Sequence, residues 1–469
     1  MRRGPTNAPV ASNGHGARLA PARPSPRLRV GDERLRDIAR SLGPRVSERL
    51  DERVGDAAAR NRPLDRPAQE AIFGVEVEEV LRQYAAERMA RHEMGLSDEE
   101  EFVVKEQIHD MLFGLGGLEP LLAMPEVTDI LVNGPNETWL IYPDGTKLPG
   151  PPVGGTVEEM RELIRRVGAR GGELGDRPFD VAHPILDMML PDGSRFNAVD
   201  FVTDFPFITI RRHTLLDIRW ADTVALGMVT KSAHRFLGAA VPAGLQMMVA
   251  GPTGVGKSTL VRSLADRIDG GERIATIESD RELRLPRDRH PDVIPLQARP
   301  PNIEGVGAVD LVTLVHNALR QAPDRIIVGE VRGPETVAML WAMNTGHKGS
   351  LSTIHADTPR GVFENIALHG MFTTPPVGRD TALTLAAQAL DLVVFMSRDR
   401  GSKVGYVSSI HWVEGYSKQG DHVVTTEVFA PGPDGRAVPS AGIPQAIRDA
   451  LEEQGYDTSV HQPHAEWLR

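Results

Sequence analysis

The segment Gly251-Pro-Thr-Gly-Val-Gly-Lys-Ser-Thr259 constrains this chain more than any other. Its spacing, G-x-x-x-x-G-K-[ST], is that of a loop that closes around phosphate oxygens. Gly254 and Gly256 let the backbone turn so that N–H groups point inward. Gly251, Pro252, Thr253, Val255 and Thr259 complete the cradle. Lys257 supplies a charge that reaches the β- and γ-phosphates, and the Ser258 hydroxyl suits Mg²⁺. An apolar run over 247–250 precedes the loop and a helical pattern over 258–266 follows it. That helix presents its positive N-terminal end to the same anion. Strand, glycine loop and helix in this order imply an α/β domain.

The rest of the chain agrees with that frame. From about residue 214 helical and apolar strand patterns alternate, with strands expected at 246–250, 273–277, 325–328 and 349–353 and more over 390–430. Such alternation argues for a mainly parallel sheet with right-handed crossovers. Earlier, helices are expected at 69–93 and 99–115, strands at 127–132, 137–142, 196–202 and 207–212, and a helix at 157–167. The expected layout is a disordered basic arm and linker (1–68, with a loose helix over 32–60), an α+β domain (69–214), the α/β domain (215–430) and a tail with a short helix (431–469). Met1 to Val30 holds six arginines, no acid and no apolar segment of the kind a signal peptide needs.

A phosphate cradle alone binds; hydrolysis also needs a positioned water. Two later strands end in acids: 274–277 leads into Glu278, Asp280 and Glu282, and 326–328 leads into Gly329-Glu330. In a parallel sheet those strand ends share the edge that carries the cradle. Carboxylates there can hold Mg²⁺ or polarise the attacking water. Ser258 and Glu330 are the candidate metal contacts, and Glu278, Glu282 and Glu330 the candidate catalytic acids. The usual aspartate before the second-strand glutamate is absent, with Gly329 in its place. His355 follows a strand-like run and can donate to the γ-phosphate, while His347 precedes the same strand at its other end.

Composition removes several chemistries. There is no cysteine, so disulfides, thiolate catalysis and Cys-ligated zinc are excluded. A formal net charge of −11 speaks against a dedicated nucleic-acid binder. The best membrane-span candidate, 382–396, is too short and is interrupted by Gln388 and Asp391.

In order, GPTGVGKST, TIESDREL, RPPNIEG, ALRQAPDRIIVGEVRG and MNTGHKGSLSTIHAD resemble the secretion and pilus assembly ATPases of bacterial type II and type IV systems. The nearest likeness is to the CpaF-like branch of the Tad/Flp pilus, shared by LGGLEPLLAMPEVTDILVNGPN and LPDGSRFNAV in the first half. The resemblance spans about residues 75–455. It implies a RecA-like P-loop motor domain behind an α+β N-terminal domain, ATP and Mg²⁺ as cofactors, and a homo-hexamer. It further implies a peripheral cytoplasmic position at the inner membrane, with an inner-membrane platform protein as partner, while the acidic balance leads to the expectation of no nucleic acid. It places Glu278 and Glu282 in the Asp box, Glu330 in Walker B and His347 and His355 in the His box. Arg211 and Arg212 fall where the N-terminal domain meets the motor, and Arg299 in RPPNIEG also matches. The Asp box departs from Ile-Glu-Asp: Ser279 follows Glu278, and Asp280 comes one place late. A DNA translocase of a conjugation system and a low-turnover nucleotide-binding regulator remain the alternatives.

Overall fold

The computed structural model describes residues 32–461 apart from 61–63, 65, 144, 154, 170–176, 213–217, 302–304, 400–404 and 441. The basic arm, most of the expected junction at 211–217, the centre of RPPNIEG and the end of the tail lie outside the described residues. Two compact units divide the chain between Glu119 and Pro120.

The first unit is helical. Helices α1 (Asp32–Ala59), α2 (Arg66–Ala90) and α3 (Asp98–Leu112) enclose one apolar core. Leu35, Ala39, Leu42, Val46 and Leu50 recur along α1 at helical spacing and bury against Phe73, Val77, Val80 and Leu81 of α2. Ser97 caps α3 in a reciprocal box with Glu100, which satisfies two end-of-helix donors. α1 is thus an integral, well-packed element and not a loose one. The expected 69–214 domain is divided, because α1 closes α2 and α3 into a core of their own.

The second unit carries two sheets. The first contains β1 (Asp129–Asn133), β2 (Thr138–Ile141), β3 (Lys147–Gly150), β4 (Ile185–Met189), β5 (Arg195–Val199) and β6 (Phe207–Arg211). It is antiparallel, in the order β3-β2-β1-β6-β5-β4. The helix Val157–Ala169 buries Met160, Leu163, Ile164 and Val167. This sheet and helix form an α+β layer that precedes the nine-stranded sheet in the chain.

The second sheet has nine strands: β7 (Met247–Gly251), β8 (Ile274–Glu278), β9 (Val293–Gln297), β10 (Arg325–Val331), β11 (Leu351–His355), β12 (Leu392–Arg398), β13 (Gly405–Ser417), β14 (His422–Pro431) and β15 (Ala437–Pro439). The order is β15-β14-β13-β12-β7-β11-β10-β8-β9, and the run from β12 to β9 is parallel throughout. β9 was not expected from its pattern, since Pro295 interrupts it. It forms the edge of the sheet, where a missing N–H is tolerated. The central strand β7 is buried at every residue, because helices cover both faces. Met247 and Val249 pack into one apolar layer and Met248 and Ala250 into the other, as the two-residue period of a strand requires.

The tail is not separate from this domain. β15 extends the sheet, and Ile447, Leu451 and Tyr456 join the core around Phe236. The Phe236 ring meets Tyr456 edge-on at 5.5 Å and Phe429 at 5.1 Å. A fully buried phenyl at the meeting of sheet, helix and tail should be costly to remove. Phe236→Ala is expected to lower unfolding free energy by about 3–5 kcal/mol, measurable as a reduced urea midpoint.

Candidate nucleotide-binding site

The cradle forms where β7 ends and the helix Lys257–Ala265 begins. Gly254 and Gly256 have φ of +70° and +94°, the left-handed region in which a side chain is strained. Gly405 of β13 is needed from the other side, since a Cβ there would lie 1.7 Å from the Val255 carbonyl oxygen. Arg398, at the end of β12, donates to the Thr253 carbonyl and steadies the loop tip.

Lys257 is 6 % exposed. Its ammonium donates to the carbonyls of Gly251 and Pro252, each at 3.1 Å, and to His355 Nδ1 at 3.1 Å. Burial disfavours the charged form and pushes the lysine down to about 8, while Glu330 and Glu282 oppose the fall. An ammonium only donates, so Nδ1 of His355 accepts and the ring proton sits on Nε2. Nε2 lies 2.6 Å from Glu330 Oε1 and donates to it. Burial, then the neighbouring Lys257 charge, holds His355 below the usual histidine range, which keeps the ring neutral.

Strand register produces this meeting. His355 pairs with Gly251 across β11 and β7. On β10 the register slips between Val328 and Val331, a bulge that contains Gly329 and Glu330. Bulges re-aim side chains at sites of this kind. Gly329 has a second reason to be glycine: a Cβ there would lie 2.9 Å from Glu278 Cγ and 3.1 Å from its Oε1. The carboxyl of Glu278 fills the space in which an aspartate side chain at 329 would begin.

Glu278 is 4 % exposed, and its Oε1 accepts the backbone N–H groups of Glu282 and Leu283 at 3.0 and 2.9 Å. Burial outweighs those bonds and raises its carboxyl to about 7. Glu282, held by this turn, accepts the Ser258 hydroxyl at 3.0 Å. The expected metal pair, Ser258 with Glu330, is therefore rearranged: Ser258 pairs with Glu282, and Glu330 with His355. Among the described residues no group of three or more His, Asp or Glu side chains is arranged to hold a metal ion. Mg²⁺ fits this chemistry nonetheless, because it favours few protein oxygens with phosphate and water completing the octahedron. Ser258 and Glu282 are the residues that would hold it.

Other expected residues fall elsewhere. His347 stands before β11, at the end opposite His355, with Nδ1 3.2 Å from the Ala342 carbonyl oxygen, so it does not join this chain's own cradle. Arg211 donates to Asp129 at 2.9 Å within the first sheet. Arg212 donates to the carbonyls of Met124 and Val127. Arg299 donates to the Gly307 carbonyl at 2.8 Å and shapes its own loop. The arginine that reaches the Asp box is one that sequence reasoning missed. Arg195 of β5 lies 3.0 Å from Asp280 and 3.9 Å from Glu282. From the loop between β8 and β9, Arg284 donates to the Asp192 carbonyl at 3.3 Å and packs on Gly193. The Pro191-Asp192-Gly193 turn before Arg195 was the available signal. Arg332, two residues beyond Glu330, was also missed; it donates to Ser279 Oγ at 3.3 Å.

A parallel sheet whose central strand opens into a glycine cradle, with acids on the adjoining strand ends, defines a P-loop nucleotide-binding protein of RecA-like build. Residues 116–394 match the family described as Type II/IV secretion system protein, and the chain belongs to that family. A putative conjugal transfer protein of Mycobacterium tuberculosis is 34% identical over 305 residues, 62% of this chain and 82% of that one. Type IV secretion system protein PtlH of Bordetella pertussis is 31% identical over 315 residues, 62% of this chain and 91% of its own. Among solved structures, the VirB11 ATPase of the Brucella suis type IV secretion system, in complex with sulphate, aligns with a TM-score of 0.35. It is 25% identical, and the alignment covers 66% of this chain and 95% of that one.

The buried carboxyl gives a pH signature. The folded Glu278 value, about 7, lies above the ordinary 4.5, so the native state binds more protons between the two. Stability from this group is present below about pH 4.5 and is lost as pH rises through about 7. Glu278→Gln keeps the acceptor oxygen and removes the charge. It should therefore raise nucleotide-free stability by up to about 3 kcal/mol at pH 8 and by much less at pH 5, read by urea unfolding at both pH values.

Proposed function

We propose that the chain hydrolyses Mg-ATP and powers a secretion or pilus assembly machine. The supporting observation is the convergence of two short hydrogen-bonded chains on the cradle: Lys257–His355–Glu330 and Ser258–Glu282–Glu278. Lys257 turns from its two carbonyls to the β- and γ-phosphates when ATP arrives, which recovers the interactions that its burial denies it. Ser258 and Glu282 would hold Mg²⁺, which would supply positive charge to offset that developing on the phosphates. Glu330, on the bulge, orients the attacking water and accepts its proton while the bond between the γ-phosphorus and the β–γ bridging oxygen breaks. His355, donating through Nε2, holds Glu330 aimed.

The finer reading is a homo-hexamer at the inner face of the membrane that drives Tad/Flp-type pilus assembly or protein secretion through a membrane-embedded platform protein. Among the described residues no helix is long and apolar enough to cross a membrane. Contact with such a machine is then made through the partner. A second reading, DNA translocation, is favoured by the name of the Mycobacterium tuberculosis relative and opposed by the net charge of −11.

Lys257→Ala should abolish hydrolysis, whereas Glu330→Gln should retain bound ATP and slow turnover by orders of magnitude. Phosphate release, with ATP binding measured in parallel, checks both. Wild-type turnover in the lysine variant would remove the reading altogether.

The cargo is tested by adding duplex DNA, single-stranded DNA, or vesicles carrying a co-encoded platform protein to the ATPase assay. Stimulation by the platform vesicles alone is expected. Strong stimulation by DNA, steeply lost with salt, and none by the vesicles would favour the translocase instead.

A further inference from the structure

A second recess lies away from the cradle, at the far end of the helix that carries Lys257. It is a cavity of about 450 Å³ whose walls include Trp220, Ser232, Arg235, Arg267 and Tyr456. A volume of this size holds a small molecule.

Its lining is rich in donors and short of acceptors. Arg235 is exposed and has no hydrogen-bond or ion-pair partner among the described residues. Among the described residues Arg267 uses only Nε, which donates to the Gly238 carbonyl at 3.2 Å, so both terminal nitrogens are available. Trp220 is 4 % exposed, and among the described residues its indole N–H has no acceptor. Trp220 is held firmly in place. Its ring stacks on His234 at 4.4 Å, and its backbone N–H donates to Asp266 at 3.1 Å. Gly238 makes room for the indole nitrogen, since a Cβ there would lie 2.8 Å from Nε1. The Tyr456 hydroxyl is already engaged with His461 Nε2 at 2.7 Å.

Charge points the same way. His234 lies below the usual histidine range through burial, so it adds no positive charge at neutral pH. Asp457 is the carboxylate on the rim, and it is turned to Ser459, accepting its N–H at 3.0 Å and its hydroxyl at 2.6 Å. Two guanidinium forks and an indole N–H offer more donors than the two oxygens of a carboxylate can use. A phosphoryl group, with three oxygens, matches them better, and guanidinium–phosphate bonds are the strong, charge-assisted kind.

We propose that this cavity binds a small phosphate-bearing ligand, gripped by Arg235, Arg267 and the Trp220 indole. The site is separate from the cradle but mechanically close to it. Asp266, which holds the Trp220 backbone, and Arg267 directly follow the helix Lys257–Ala265.

The full-length chain labelled with 5-fluorotryptophan tests this by ¹⁹F NMR, the Trp220 signal being assigned with Trp220→Phe. Pyrophosphate is the probe, used in the Lys257→Ala background so that the cradle does not report. The Trp220 resonance should shift saturably. Arg235→Glu, a change at an exposed position, should weaken binding about tenfold or more while leaving the thermal melt unchanged. Arg267→Ala should do the same and provides a second, independent check. ADP and glycerol 3-phosphate then separate a nucleotide from a headgroup-like source, and tighter binding of either than of pyrophosphate supports the site. An unmoved Trp220 resonance would overturn the proposal. So would a shift that Arg235→Glu and Arg267→Ala both leave intact, or an equal shift with citrate in place of the phosphates.

Discussion

The ammonium of Lys257 is the group around which the site is organised. It has been taken out of water, and burial lowers its pKa to about 8. A cation in that position must be met by acceptors or by an anion. Two carbonyls of its own loop and the Nδ1 of His355 meet it in the structure. That choice fixes the tautomer of His355, and the tautomer in turn directs a proton toward Glu330. Each partner sits where it does because parallel strands deliver their carboxyl ends to one edge. Had β10 or β11 run antiparallel to β7, their carboxyl ends would lie at the opposite end of the sheet from the cradle.

A second line of contacts ties the preceding sheet to the cradle. Arg195 on β5 reaches Asp280 and Glu282, Glu282 accepts from Ser258, and Glu278 holds the Glu282 backbone. Arg284 closes the clamp from the motor side on the turn that contains Gly193. Displacement of the β4–β5 turn is therefore felt at Ser258 through two side chains. The substitution of Ser279 for the usual aspartate acts at the same place. Arg332 donates to that serine, a neutral acceptor, where a carboxylate would have formed an ion pair, which leaves its charge less committed.

Much of the architecture was legible in the chain. The cradle, the alternating α/β pattern, the acids after two strands and the histidine after a third were visible because each is a local signal: glycine spacing, apolar period, and a charged residue at the end of a run. Elements lacking such a signal were not visible. β9 carries a proline, and β3 is almost wholly exposed and shows no alternation. The helix α1 read as loose because its charge density hides a stripe at Leu35, Ala39, Leu42 and Val46 that only burial reveals.

The sequence by itself determined the class of chemistry. No other common arrangement explains Gly254, Gly256, Lys257 and Ser258 between an apolar strand and a helix, since the phosphate cradle needs those residues within a few positions of one another. Which distant side chains complete the cradle was decided only in three dimensions. Glu282, not Glu330, accepts the Ser258 hydroxyl, and Arg195 of β5 reaches Asp280 and Glu282 from the preceding sheet. The physical reason is register. A strand shifted by one residue, or bulged as β10 is at Gly329 and Glu330, turns a side chain to a different neighbour, and pairing between strands far apart in the chain leaves no mark in the local pattern of residues.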